Sequence, residues 1–109
     1  MKISIDALQE YLSIRYGGWA TEQGLFMKLT EELGEVAEVL NKRAGYKSSG
    51  EEDLREFLGT ELADVIHYAV ALAAINNIDL TAVMLEKDKK ASAKYHHTSN
   101  LETFLTDKE

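Results

Sequence analysis

The sequence predicts an all-α domain, a four-helix bundle-like fold whose second and third helices run antiparallel and carry the functional side chains. Three observations lead there. The 109 residues contain no proline, the residue that most strongly breaks helices. Apolar residues recur at the helical period through nearly the whole chain,. Turn signals stand where those periodic segments end, at Gly17-Gly18, from Gly45 to Gly50 and at Asn76-Asn77,. A chain of this length makes one domain, with residues 98–109 as its C-terminal tail.

The first helix is expected over Ser4 to Tyr16. Ser4 is a good N-cap, Ala7, Leu8, Tyr11, Leu12 and Arg15 follow one helical period, and Gly17-Gly18 ends the segment,. Trp19 falls in the connection. The second helix is capped by Thr21 and runs to about Ala44. Its apolar stripe is Leu25, Leu29, Leu33, Val36 and Leu40,. The polar stretch from Gly45 to Gly50 connects it to the third helix, which begins between Glu51 and Phe57 and continues through Ile75-Asn76. From Val65 to Ile75 that helix is apolar on nearly every side. Such a helix is buried all round, which a domain this small cannot arrange alone. The expectation is therefore a homodimer or homotetramer with the third helix near the subunit interface. The fourth helix spans Leu80 to about His96, with Asp79 or Thr81 near its cap and Lys87 and Lys89 on a solvated face. His96-His97 reads as a frayed end. Leu101, Phe104 and Leu105 give the tail a small apolar face for a short docked helix,.

Two pairs of acids stand out against this scaffold. Glu32 and Glu35 are three residues apart on the second helix, and Glu61 and Asp64 are three apart on the third. That spacing places each pair on one face, a turn apart. At roughly 100° per residue, Lys28, Glu32 and Glu35 share a narrow sector beside the apolar stripe. Glu61 and Asp64 lie inside the apolar face of Leu58, Val65, Tyr68, Ala71, Leu72 and Ile75. A carboxylate on an apolar face is costly unless something neutralises it. Two helices that both do so suggest a shared cation. Four carboxylates, in a chain without cysteine, suit a hard, oxygen-loving ion, Mg²⁺ or Mn²⁺.

Glu32-x-x-Glu35 followed by Glu61-x-x-Asp64 resembles the signature of the MazG-like all-α nucleoside triphosphate pyrophosphohydrolases. The flanking sequences agree, from Met27 to Glu38 and from Glu61 to Ile66, and the resemblance extends from about Leu8 to Tyr95. It implies that Glu32, Glu35, Glu61 and Asp64 hold Mg²⁺ and drive hydrolysis of a nucleoside triphosphate to monophosphate and pyrophosphate, in a housecleaning role. Lys28 and Lys94 become candidate phosphate contacts. Trp19 and Tyr68 become candidate walls for the base, since aromatic faces stack on bases. Trp19 has an alternative as a core or lid anchor, and Lys28 has one as an ion-pair partner of Glu32 at i, i+4. Glu31 either stands behind the ligands or joins them, His67 is a packed histidine or stands behind them, Asp88 is a further candidate to stand behind them, and Lys47, Ser48 and Ser49 are either a phosphate-side lid or a plain connection. In the family the fourth helix carries an asparagine, later basic residues and an Arg-Tyr pair. Here Asp88 takes the asparagine place, Ala91 a lysine place and Lys94-Tyr95 that of the pair, so substrate preference is the open point.

The remaining composition narrows the partners. A formal net charge of −7 argues against a nucleic-acid polymer but not against a nucleotide bound through a metal. The opening Met1 to Asp6 holds no apolar signal core, and the longest unbroken apolar run, Tyr68 to Ile75, is too short for a bilayer,. These features predict a cytoplasmic protein without a membrane partner. Other readings of the same residues are a pyrophosphohydrolase acting on a substrate such as phosphoribosyl-ATP, a non-catalytic metal- or nucleotide-binding module, and a structural oligomer whose acids are interface charges.

Overall fold

The computed structural model describes residues 1–45 and 53–108, and within them the chain is helical without strands. Five helices follow in order: α1 (Ile5–Tyr16), α2 (Glu22–Arg43), α3 (Leu54–Ile75), α4 (Leu80–Lys94) and α5 (Leu101–Lys108). Glu51, Glu52 and the Lys47-Ser48-Ser49 stretch lie outside the described residues.

The helix starts follow their caps. The side chains of Ser4, Thr21, Asp53 and Asp79 each accept a hydrogen bond from a backbone N–H three residues on, which satisfies one of the donors that a first turn leaves unpaired. The ends differ more. After α1 the chain turns extended at Gly17 (φ −62°, ψ 137°), and a side chain there would run into the backbone carbonyl of Ser13. α3 and α4 both end on a non-glycine residue in the left-handed region, Asn77 (φ 55°) and His96 (φ 58°). Ile78 N–H then donates to Ala73 C=O at 3.0 Å, and His97 N–H to Ser92 C=O at 2.9 Å. These bonds close the last turns as Schellman caps. The expected frayed end at His96-His97 is thus an ordered cap, and α4 stops at Lys94.

α1, α2 and α3 form the core. Leu12 and Tyr16 of α1, Leu25 of α2 and Val70, Ala71 and Ala74 of α3 are buried in one cluster, edged by Leu8, Tyr68, Leu72, Ile75 and Leu80. α2 and α3 are antiparallel: the start of α2 at Leu25 meets the end of α3, while Glu32 further along meets Glu61 and Asp64 further back. The small Ala71 and Ala74 let the helices approach closely. The face α2 turns inward is Leu25, Leu29, Glu32, Val36 and Val39, spaced four and three in alternation. Leu33 and Leu40, expected in the stripe, are instead about half exposed (51% and 47%), because this narrower seam leaves them a third of a turn outside it.

Three further expectations change. α3 is not buried all round within the chain: Leu62, Ile66 and Ala69 point to solvent, whereas Val70 faces the chain's own core. α3 as a whole is also long and apolar enough, by length and composition, to cross a membrane; the unbroken run from Tyr68 to Ile75 understates it. Its charged Glu61 and Asp64 are turned toward α2. Finally, α4 packs against α1 and α5 rather than completing a bundle along the α2–α3 seam. The Gln9 side chain fixes the turn before α4, donating to Ile78 C=O and accepting from Leu80 N–H, and Thr81 bonds Asp6.

Candidate active site

The inward seam of α2 and α3 brings three acids together. Carboxylate oxygens of Glu32, Glu61 and Asp64 all lie within 4.8 Å of one another, and all three side chains are partly buried. The sequence dictates this. Glu32 occupies a seam position of α2 between Leu29 and Val36, and Glu61 and Asp64 share the α3 face with Leu58, Val65 and Tyr68. A packed helix pair can therefore form only by bringing the acids face to face.

The cluster is electrostatically strained. The Glu32 carboxyl is hydrogen-bonded to that of Glu61, and this bond, with burial and the nearby charges of Asp64, Glu61 and Glu31, pushes its pKa from 4.5 up to about 7. Two carboxylates share a hydrogen bond only when one holds a proton. Glu32 thus keeps a proton up to near-neutral pH that a cation would displace. Oxygen-only ligands without sulfur or nitrogen fit a hard divalent ion.

The other predicted residues are spread more widely. Glu35 lies one turn beyond Glu32 and is exposed, outside the group of three. Lys28 pairs with Glu31 at 3.5 Å rather than with Glu32, which leaves Glu31 an exposed neighbour whose charge Glu32 still feels. His67, one turn after Asp64, makes a 2.7 Å hydrogen bond through Nε2 to the Tyr16 hydroxyl and stands edge-on to the rings of Tyr16 and Tyr68. Burial, aided by the Arg15 charge and opposed by Asp64, lowers its pKa, which favours the neutral imidazole. Asp88 caps α5 by accepting the Leu101 N–H at 2.6 Å. Lys94 sits near the end of α4 with Nζ 5.4 Å from the Tyr95 ring centroid. Neither belongs to the group gathered at the seam.

Trp19 and Tyr68 do come together, in a cavity of about 450 Å³ between the end of α1 and the start of α2. Tyr16 packs its ring on Trp19 with centroids 5.6 Å apart, and Lys28 lines the side toward Glu32. Tyr68 links cavity and acids: burial raises its hydroxyl pKa, and it feels Tyr16 and Lys28 as well as Glu32 and Asp64. The sequence reading missed two lining residues, Arg15 and Tyr16. The signal was present in Arg15, a charge on the apolar period of α1, the same anomaly that singled out Glu61 on α3. A second cavity of about 440 Å³, lined by Asp6, Gln9 and Glu10, lies at the α3–α4 turn and takes in none of these residues.

Acids at a helical seam, linked through Tyr68 to an aromatic cavity that carries cations, fit the class of all-helical phosphohydrolases. The model of the MazG nucleotide pyrophosphohydrolase domain matches residues 20–99, most of the chain, and the protein belongs to that family. No curated protein matches it. The match takes in both acid pairs, and of the cavity all but Arg15, Tyr16 and Trp19.

Proposed function

We propose that the protein is a divalent-metal-dependent nucleoside triphosphate pyrophosphohydrolase that releases pyrophosphate and a nucleoside monophosphate. The observation that carries this reading is the meeting of Glu32, Glu61 and Asp64 within 4.8 Å beside a cavity walled by Trp19 and Tyr68. These three carboxylates would hold Mg²⁺, with Mn²⁺ as an equivalent, and Glu35 would extend the set on its exposed side. When bound, the ion supplies positive charge to the triphosphate oxygens and lowers the pKa of the attacking water. The chain's own residues do the rest. Glu32 would lose its proton to solvent on binding the cation, and the oxygens of Glu32 and Glu61 not bound to it would accept hydrogen bonds from water. Lys28 exchanges its exposed ion pair with Glu31 for a phosphate oxygen. Tyr16 and Trp19 offer ring faces to the base, and the bond from Tyr16 to His67 keeps the first of these rings fixed above α3.

Assembly belongs to the same reading. The chain has a radius of gyration of 17.1 Å, against about 13 Å for a compact domain of this length. Its accessible surface is 8349 Å² at 12.2 kDa, about 2,300 Å² more than a compact monomer of that mass exposes. That excess is of the size an obligate dimer buries from one partner. Leu33 and Leu40 of α2 and Leu62 and Ile66 of α3 supply the apolar part of it. A second copy placed there would cover the outer side of the seam. It is also the route by which an α4, with Lys94, could approach the acids.

The test is a product assay. The protein is incubated with a panel of nucleotides and Mg²⁺, and pyrophosphate and monophosphate are quantified. Equimolar release of the two, abolished by a chelator, is expected. Diphosphate and orthophosphate would refute the bond assigned, and activity that survives chelation would refute the role of the acids.

A further inference from the structure

We propose that the aromatic cavity selects bases by their carbonyl oxygens, with Arg15 as the specificity-determining residue, so that nucleotides of uracil, thymine or hypoxanthine are favoured over those of cytosine or adenine. The inference rests on the reading of the cavity as the base site. Its ground is an inventory of what the wall can donate and accept. The Trp19 indole N–H is already given to the Arg15 C=O at 2.8 Å. The Tyr16 hydroxyl is tied to His67, and the Thr21 hydroxyl accepts the Gly24 N–H as the cap of α2. Among the described residues no carboxylate or amide side chain lines the cavity. The hydroxyls of Thr21 and Tyr68 can each still donate and accept, whereas the two charged groups that line the cavity, Arg15 and Lys28, can only donate,.

Their positions divide the work. Lys28 stands one turn before Glu32 and serves the phosphate end. Arg15 lies on α1, across the cavity, with its guanidinium carbon 5.8 Å from the Tyr16 ring centroid. Nη1 is steadied by a 3.3 Å hydrogen bond to the Tyr11 hydroxyl. Among the described residues no carboxylate pairs with it, in a chain where acids outnumber basic residues 19 to 12. An unpaired guanidinium at the rim of an aromatic slot offers charge-assisted donors to the edge of a stacked base. A carbonyl oxygen there accepts them. An exocyclic amino group presents a donor to a donor and loses the bond.

Trp19 makes the test independent of catalysis, because it is the single tryptophan of the chain and part of the cavity wall. Its fluorescence is titrated with uridine monophosphate and with cytidine monophosphate, which differ at the base in a carbonyl beside an N3–H against an amino group beside an unprotonated N3. Uridylate is expected to bind about tenfold more tightly, the usual scale for one charge-assisted hydrogen bond. In Arg15→Met the two affinities should fall to within about twofold of each other, and Arg15→Lys should keep part of the difference. Arg15 is exposed, so both variants should melt as the parent does. Equal or tighter binding of cytidylate by the parent would overturn the proposal, as would a uridylate preference that survives in Arg15→Met. Absence of any change in Trp19 fluorescence with either nucleotide would overturn it too. Pyrophosphate release is measured separately: a uridylate preference without hydrolysis would reject the catalytic reading and leave the cavity's selectivity standing.

Discussion

Replacing Glu61 with glutamine separates a strained functional site from a structural one. Two unit charges at the 4.8 Å limit of the cluster repel by about 3.5 kcal/mol at an effective dielectric of about 20 and by about 0.9 kcal/mol in bulk water. The acids are only partly buried, so a value of about 1 kcal/mol is the fair expectation for the metal-free protein. Glu61→Gln keeps the shape, removes the charge that faces both Glu32 and Asp64, and leaves an amide able to donate to Glu32. Above pH 7 the metal-free variant should therefore be more stable than the parent by about 1 kcal/mol, or roughly 4 °C in melting temperature for a domain of this size.

The pH dependence sharpens the test. Glu32 titrates at about 7 in the folded chain against an ordinary 4.5. Between those values the folded state binds the additional proton, so the parent's stability falls as pH rises from about 4.5 to about 7, with the full penalty present above it. The stabilising effect of Glu61→Gln should vanish near pH 5, where the shared proton already relieves the repulsion. Mg²⁺ should raise the parent's melting temperature by mass action and the variant's much less, and hydrolysis should drop by orders of magnitude. Thermal melts at pH 5 and pH 8, with and without Mg²⁺, decide the matter. A variant less stable than the parent at pH 8 with an unchanged response to Mg²⁺ would refute the reasoning.

Two substitutions on α3 distinguish core from interface. Val70→Asp places a charge in the buried cluster beside Leu12 and should unfold the chain at a cost of several kcal/mol. Ile66→Glu, at a position 52% exposed in the single chain, should leave the helix content intact and turn the assembly into monomers in sedimentation velocity; an unchanged sedimentation coefficient would remove α3 from the interface. Asp88→Ala deletes the acceptor of the Leu101 N–H and should cost about 1 kcal/mol at the start of α5, seen as faster amide exchange or proteolysis of Leu101–Lys108 without loss of nucleotide hydrolysis.

The helices were legible in the sequence because their signals are local. Ser4, Thr21 and Asp79 cap the segments they precede, and Gly17 and Asn77 end theirs for reasons of backbone sterics that involve only a few neighbours, whereas the charged run from Glu51 to Phe57 left the cap of α3, Asp53, unmarked. The acids of the seam were legible because Glu61 and Asp64 contradict the apolar face they stand on. What was not legible depends on which face meets which neighbour. Leu33 and Val39 are equally apolar, yet only Val39 is buried, since the choice is made by the packing of α3. The partner of Lys28 and the place of Asp88 depend on the same packing. Lys28 reaches Glu31 at i+3 in preference to Glu32 at i+4, because Glu32 is turned into the seam and bonded to Glu61. Asp88 lies on a helix that follows α1 and α5.

The outward faces bear on both unsettled points, the oligomer and the missing basic residues. Among the described residues only eight hydrophobic ones are buried, which is little core to hold three carboxylates together against their repulsion. The seam can be kept closed by a cation from within or by another copy pressing on Leu33, Leu62 and Ile66 from outside. Both act on the same two helices, so their effects should be linked. Mg²⁺ that tightens the α2–α3 pair should also tighten association, and association should in turn raise the affinity for Mg²⁺ by the same factor, as linkage requires. Sedimentation of the parent across a Mg²⁺ titration measures that coupling directly. A dissociation constant for the assembly that does not move between metal-free and saturating conditions would show that site and interface are independent.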